Sequence, residues 1–284
     1  TENPYPRWIR KTNTSKININ ELIQREKINV LKTPDNPISP NIMIAGSGTG
    51  QQLMKVAGNF PSSDILAVDL SADSLAYALR KLKELNFNNI TYLKGDILDI
   101  SVINKKFDII ECTGVLHHME EPIKGLESLI GNLKENGLLK IALYSKLARH
   151  EIIKFRKLID RKKDYFSENF VRNLRNDIFT RKNSDYDEFI KIPQLNDFFS
   201  MSGIRDLLFH SKEHQFTILD IKKILDDYGL HFGGFVFGNT SHLNNFKKMF
   251  PNQNSEYSLD NWNEFELNFG TNFIGMYQFW VQKK

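Results

Sequence analysis

The sequence predicts an α/β domain in which a parallel sheet, covered by helices on both faces, is interrupted once by a mostly helical insertion. Three observations predict it. Short apolar runs alternate with helical patterns between residues 41 and 144. A glycine-rich loop, Gly46-Ser47-Gly48-Thr49-Gly50, joins the first run to the first of those helices. The alternation stops at Tyr144 and resumes at Thr217.

The first 40 residues are polar and carry Pro34, Pro37 and Pro40, with one short helical pattern over 19–27. Residues 41–45 form the first apolar strand, and the helix after the loop spans 51–59, with Leu53, Met54, Val56 and Ala57 as its apolar face. A second strand, 65–68, ends in Asp69. Ser71 then suits a helix N-cap, and Leu75, Ala78, Leu79, Leu82 and Leu85 follow at helical spacing. Strands at 90–93 and 107–112 come next, then a helix over 122–133. A fifth strand at 138–144 is entered through an Asn136-Gly137 turn. The insertion holds helical runs at 150–163 and 167–179. A helix at 217–228 and strands at 230–237 and 276–281 complete the sheet. The expected organisation is therefore an arm over 1–40, a sheet domain over 41–145 and 216–284, and an insertion over 146–215.

Composition sets outer bounds. Of 284 residues, 40% are hydrophobic and 25% charged, which excludes a disordered or fibrous chain. Net charge is +4, too mild for a nucleic-acid binder, whose domain pI usually exceeds about 9. Residues 146–215 hold 15 basic and 11 acidic side chains, an excess equal to that of the whole chain. The lone Cys112 cannot form an internal disulfide. No apolar run approaches the roughly 20 residues of a membrane-spanning helix, and the first residues lack the apolar core of a signal peptide. A cytoplasmic protein is expected, either whole or, since it begins with Thr1, trimmed from a longer one.

The chemistry concentrates at the carboxyl ends of the strands. Glycines between strand and helix let a ligand approach the backbone, and the helix N-terminus favours electron-rich groups. Asp69, ending the next strand, can accept hydrogen bonds from both ribose hydroxyls of a nucleoside. A dinucleotide fingerprint needs a third glycine where Gln51 stands, and no Gly-Lys-Ser or Gly-Lys-Thr follows, so neither a nicotinamide nor a nucleoside triphosphate fits.

Five motifs in order resemble the class I S-adenosylmethionine-dependent methyltransferase family, from residue 41 to the C-terminus. They are Ile44-Ala45-Gly46-Ser47-Gly48-Thr49-Gly50, the strand-end Asp69, Gly95-Asp96-Ile97, Phe107-Asp108-Ile109-Ile110 leading to Gly114-Val115-Leu116-His117-His118-Met119, and Leu133 to Ile141. The resemblance implies a Rossmann-like seven-stranded sheet of order 3-2-1-4-5-7-6 with strand 7 antiparallel. It also implies S-adenosylmethionine as cofactor, held by Ala45, Gly46, Ser47, Gly48, Gly50, Asp69, Leu70, Asp96, Ile97, Thr113 and Val115, with Asp96 at the adenine amino group. Three outlying segments, residues 2–8, 202–210 and 275–280, resemble a bacterial group in which this domain often follows tetratricopeptide repeats.

In-line methyl transfer relies mainly on positioning, and a base is needed only for a protonated acceptor. His117 and His118 follow the fourth strand beside the expected methyl position, and both are candidate bases, His118 ahead of His117; the alternative is that one of the pair merely packs or hydrogen-bonds the loop. Arg205 and His210 are expected to recognise the acceptor. If 205–209 is helical, Asp206, His210 and His214 share a face, alone or with Glu213. That spacing admits a metal, but a satisfied polar network is the commoner outcome, and none is expected. The basic run over 149–163 reads as a solvated helix face, or else as an attractor of anions. Tyr5, Arg7 and Trp8 are expected to fold over the cofactor as a lid. The acceptor is expected to be a small molecule or a protein side chain, roofed by the insertion. A membrane partner is not expected, and nucleic acid is disfavoured because no Asn-Pro-Pro-Tyr-type motif or accessory RNA module is seen. The rival readings are a cofactor-binding protein without turnover and an RNA methyltransferase.

Overall fold

The computed structural model describes residues 14–159, 167–180, 184–186, 188–189, 192–210, 212–237, 241–270, 273 and 275–284. Tyr5, Arg7 and Trp8 of the expected lid, and Arg161, Lys162 and Lys163 of the basic run, lie outside them.

Seven strands form the sheet: β1 Ile42–Ala45, β2 Ile65–Asp69, β3 Ile90–Lys94, β4 Phe107–Thr113, β5 Leu133–Tyr144, β6 Leu230–Phe235 and β7 Met276–Lys283. Their order is β3-β2-β1-β4-β5-β7-β6, as the resemblance implies. Strands β1 to β5 pair in parallel, and β7 runs antiparallel between β5 and β6. The chain leaves β1 toward β2 and β3, then crosses back to β4. That reversal opens a crevice at the carboxyl ends of β1 and β4.

Every residue of β1 is buried, because helices cover both faces. Met43 and Ala45 join a core with α4 (Pro122–Asn132), α8 (Ile218–Asp227), α9 (Ser241–Met249) and α10 (Leu259–Phe269). Ile42 and Ile44 point the other way, into a core with α1 (Ile19–Glu26), α2 (Gln51–Asn59) and α3 (Ala72–Glu84). Helix α1 starts with a capping box, Asn18 and Glu21 each bonding the other's backbone N–H. The polar N-terminal segment is thus anchored from α1 onward, with Ile19 and Leu22 buried. The Gln282 amide fastens it further, accepting from Leu31 N–H (2.6 Å) and donating to the Lys32 carbonyl (2.6 Å).

Helices α5 (His150–Ile159), α6 (Glu168–Thr180) and α7 (Met201–Phe209) pack around a third apolar cluster that includes Phe155, Leu174 and Leu207. The stretch holding them leaves and rejoins the sheet domain at one place. Phe216 N–H donates to the Tyr144 carbonyl (2.8 Å), and Lys146 N–H to the Phe216 carbonyl (2.9 Å).

Boundaries shift where local geometry intervenes. The Asn136-Gly137 turn lies inside β5 as a bulge. Leu133 pairs with Phe107 and Leu138 with Ile109, the extra residues being taken up by Asn136 at φ 60°. Strand β6 stops at Phe235, short of residue 237. Helices α9 and α10, between β6 and β7, were not anticipated.

Candidate active site

A cleft of about 1720 Å³ opens at the carboxyl ends of the strands. One end is built by the loop between β1 and α2. Gly46 has φ 74°, and a Cβ there would stand 2.1 Å from Val115 Cγ2, so only glycine fits. Gly48 N–H donates to Asp69 Oδ2 (2.7 Å), and Ser71 N–H donates to Asp69 Oδ1 (2.8 Å). The strand-end carboxylate therefore ties the glycine loop to the start of α3. Each of its oxygens keeps a further lone pair for a ligand hydroxyl. Ser47 is buried, and its hydroxyl has no hydrogen-bond partner among the described residues. Asp96 Oδ1 caps the following 3₁₀ turn through Leu98 N–H (2.9 Å), and Oδ2 makes no hydrogen bond to another described residue.

The Thr113 hydroxyl donates to Gln52, whose amide donates to buried Glu111. This bridge between α2 and β4 supports the cleft floor, and sequence reasoning missed Gln52 and Glu111.

The other end is built by the turn after β4, by α7 and by the segment before α8. His117 and His118 lie on the 3₁₀ turn Leu116–His118, where successive side chains diverge by a third of a turn. His118 lines the cleft. His117 turns inward, fully buried and stacked 3.7 Å from Tyr144. Burial, with His118 beside it, lowers His117 to about 2, so its ring stays neutral. His118 is lowered to about 4, burial outweighing the Lys212 carbonyl that would raise it. The Lys212 carbonyl accepts from Nδ1 of His118 (3.0 Å) and of His210 (2.8 Å), whose rings lie 3.8 Å apart. An acceptor between two ring nitrogens fixes both protons on Nδ1 and leaves both Nε2 lone pairs free. Asp206 lies in the last turn of α7, four residues before His210, which caps the helix C-terminus. Burial raises its pKa, and His210 opposes the rise.

Glu213 clamps this segment. It accepts from Arg149 Nε (2.7 Å) and Nη2 (2.6 Å) and from Arg156 Nη1 (2.6 Å). Burial raises the Glu213 pKa, but its bonds to Arg149 outweigh that and hold it low. The Arg149 guanidinium also lies 3.7 Å over the Tyr144 ring.

The methyltransferase-domain family matches residues 41–188, more than half of the chain. The chain belongs to that family.

An uncharacterised protein of Synechococcus sp. is 35% identical over 44% of this chain and 32% of its own length. The tRNA U34 carboxymethyltransferase of Campylobacter jejuni is 31% identical over 40% of this chain and 38% of its own. PKMT2 from Rickettsia typhi, solved in complex with AdoHcy, shares the fold, with a TM-score of 0.62 at 19% identity over 90% of this chain and 50% of that one. The chain thus spans a third to a half of the length of these relatives. Its architecture is the class I S-adenosylmethionine-dependent one, and S-adenosylmethionine is the cofactor of that class. The cleft end fits it: a glycine loop for close approach, an unpartnered Ser47 hydroxyl, and two carboxylates with acceptor capacity.

Of the expected cofactor residues, Gly46, Ser47, Gly48, Asp69, Leu70, Asp96, Ile97, Thr113 and Val115 line the cleft. Ala45 and Gly50 do not. Ala45 is buried in the strand, and Gly50 (φ 86°) lets α2 approach α3, since a Cβ would stand 2.8 Å from Ala78 Cβ. Of the residues expected to be catalytic or to recognise the acceptor, His118 and His210 line it, and His117 and Arg205 do not. Arg205 is half-buried, its helical phase one residue away from the cleft-facing Asp206. His214 does not join Asp206 and His210 either. Helix α7 ends at Phe209, and exposed His214 instead donates its N–H to the His117 carbonyl (2.8 Å).

Proposed function

We propose that this methyltransferase transfers a methyl group from S-adenosylmethionine to a small molecule or a protein side chain. The carrying observation is one continuous cleft with two chemically distinct ends. Its glycine loop is locked to Asp69 at one end, and two imidazole lone pairs stand at the other. Single-ligand pockets usually measure about 300–1,000 Å³, so a cleft of about 1720 Å³ has room for a cofactor and an acceptor together.

When bound, S-adenosylmethionine supplies an electrophilic sulfonium methyl group. The chain's own residues position both reactants. Asp69 would take the ribose hydroxyls, Asp96 the adenine amino group, and the loop backbone with Ser47 the amino-acid end. His118 and His210 offer electron pairs toward the acceptor, and Tyr144, backed by His117 and Arg149, forms a rigid wall beside them. Residues 146–215 act as the roof over the acceptor. The cofactor is held mainly by backbone and by carboxylates on the sheet, so acceptor choice is left to the side chains of that roof.

A transfer assay with methyl-labelled S-adenosylmethionine tests the reading. Purified protein is incubated with separate small-molecule, protein and RNA fractions. Label should appear in small molecules or proteins. Label confined to RNA would overturn the acceptor class, and no label despite measurable S-adenosylhomocysteine binding would overturn turnover.

A further inference from the structure

His118 comes from the turn after β4, and Asp206 and His210 from α7 and its C-terminal end. Their nearest ligand atoms all lie within 4.8 Å of one another. Three further observations set the cluster apart from an ordinary polar network. First, Asp206 makes no hydrogen bond or ion pair to another described residue, although such groups normally find partners when they leave bulk water. Second, both imidazoles give their Nδ1 protons to one backbone carbonyl, that of Lys212. This arrangement is typical of metal-binding histidines, because it fixes the tautomer and directs Nε2 at the ion. A 3.4 Å contact from Lys212 N–H to His210 Nδ1 is longer than the 2.8 Å bond to the carbonyl, and the carbonyl decides the tautomer. Third, three nearby cations, Arg149, Arg156 and Lys212, are already engaged. Arg149 and Arg156 are paired with Glu213, and Lys212 with Glu120. The Lys212 carbonyl is itself held in place by the Glu213 clamp one residue on.

We propose that His118, Asp206 and His210 bind a divalent transition-metal ion, and that this ion holds an oxygen of the acceptor. The site deepens the reading of the cleft as a cofactor end and an acceptor end, and rests on it. Two imidazole nitrogens and one carboxylate oxygen suit zinc, iron, cobalt or nickel over magnesium or calcium. Metal–ligand bonds of about 2.0–2.2 Å place ligand atoms up to about 4 Å apart, so a small inward rotation of the side chains closes the shell. Three protein ligands leave open positions, and these face the cleft. An acceptor hydroxyl coordinated there gives its proton to solvent as the oxygen–metal bond forms, and the anionic oxygen keeps its electron pair for the methyl carbon. The acceptor would then be a hydroxyl- or carboxyl-bearing molecule. The sequence-based expectation of no metal changes because the third ligand is His118, from the turn after β4, and not His214.

Cobalt(II) is the probe, since its visible absorption reports coordination without any enzyme activity. Protein stripped with EDTA is titrated with cobalt(II), and S-adenosylhomocysteine binding is followed separately by calorimetry. One saturable site with a visible ligand-field band is expected. His210→Ala and Asp206→Asn should each weaken it at least tenfold, His214→Ala should leave it unchanged, and all three variants should still bind S-adenosylhomocysteine. Failure of the wild type to show a saturable site refutes the metal while leaving the cofactor reading intact. So does cobalt binding unaffected by either ligand substitution. Loss of S-adenosylhomocysteine binding by the stripped wild type would instead strike at the cofactor reading.

Discussion

Replacing Asp69 separates a carboxylate that merely braces the fold from one that also holds the cofactor. Its carboxylate accepts two backbone hydrogen bonds, from Gly48 at 2.7 Å and Ser71 at 2.8 Å. Hydrogen bonds to a charged group contribute about 1.5–3 kcal/mol each when fully formed. Asp69→Ala loses both, but the freed N–H groups border an open cleft and can bond water, so the cost in stability should stay near about 1–3 kcal/mol. In a chain of this size that is a fall in Tm of several degrees. The bound state loses more. The ribose hydroxyls lose a charged acceptor, and the loop loses the tie that presents its backbone to the ligand. The first loss alone, at about 1.5–3 kcal/mol, raises Kd about 10- to 100-fold. Asp69→Asn keeps one carbonyl oxygen for one of the two N–H groups and should fall between wild type and alanine in both measurements. Calorimetry with S-adenosylhomocysteine gives Kd, and thermal unfolding monitored by circular dichroism gives Tm. If Asp69→Ala unfolds at a lower temperature yet binds with wild-type affinity, the carboxylate is a brace alone and the ribose assignment is wrong.

Gly46→Ala imposes a positive φ on a residue with a Cβ and drives that atom into Val115, and should abolish measurable S-adenosylhomocysteine binding while unfolding stays cooperative; retained affinity would contradict the close-approach argument. Glu213→Gln leaves the buried Arg149 and half-buried Arg156 guanidiniums without their carboxylate and should cost about 3–5 kcal/mol in urea unfolding, an unchanged midpoint being the refuting result. Glu26 accepts from Trp280 Nε1 (2.7 Å) and Lys140 Nζ (3.4 Å), and these partners, with Lys55, outweigh burial and lower its pKa. Its contribution is therefore present above the ordinary carboxylate pKa and lost as pH falls through the lower folded value. The Tm gap between wild type and Glu26→Gln should be open at pH 7 and close in acid, and a gap independent of pH would count against the ion pair.

The cofactor end was legible in the sequence and the acceptor end was not, for a physical reason. Strand, glycine loop and helix are contiguous, and Asp69 reaches that loop from the neighbouring parallel strand. Parallel pairing in register, Ala45 beside Val68, brings the two strand ends together without side-chain detail. The acceptor end depends instead on where helices stop. The spacing of Asp206 and His210 correctly brings the two together at the C-terminal end of α7, but extending the same periodicity to His214 assumes a helix that has already ended at Phe209. Nothing local says that His118, across the cleft, supplies the third group. Helix α10 is a different failure. Leu259, Trp262 and Phe265 have helical spacing and line the core, but they lie in a polar stretch that reads as a loop.

The basic run beginning at Arg149 carries the same lesson into electrostatics. Counted along the sequence, its cations make a positive helix face. Folded, Arg149 is buried and Arg156 is largely covered, and both converge on Glu213, more than 50 residues away. Desolvating these charges is favourable only because they meet a carboxylate with the geometry to take three hydrogen bonds from them. Those two cations are therefore not available to attract an anionic partner from solution. They act by fixing Glu213 and, through the adjacent Lys212 carbonyl, the orientation of the His118 and His210 rings. Part of the positive excess of the insertion is thus taken up inside the fold, where it fixes the segment that carries Lys212 and Glu213.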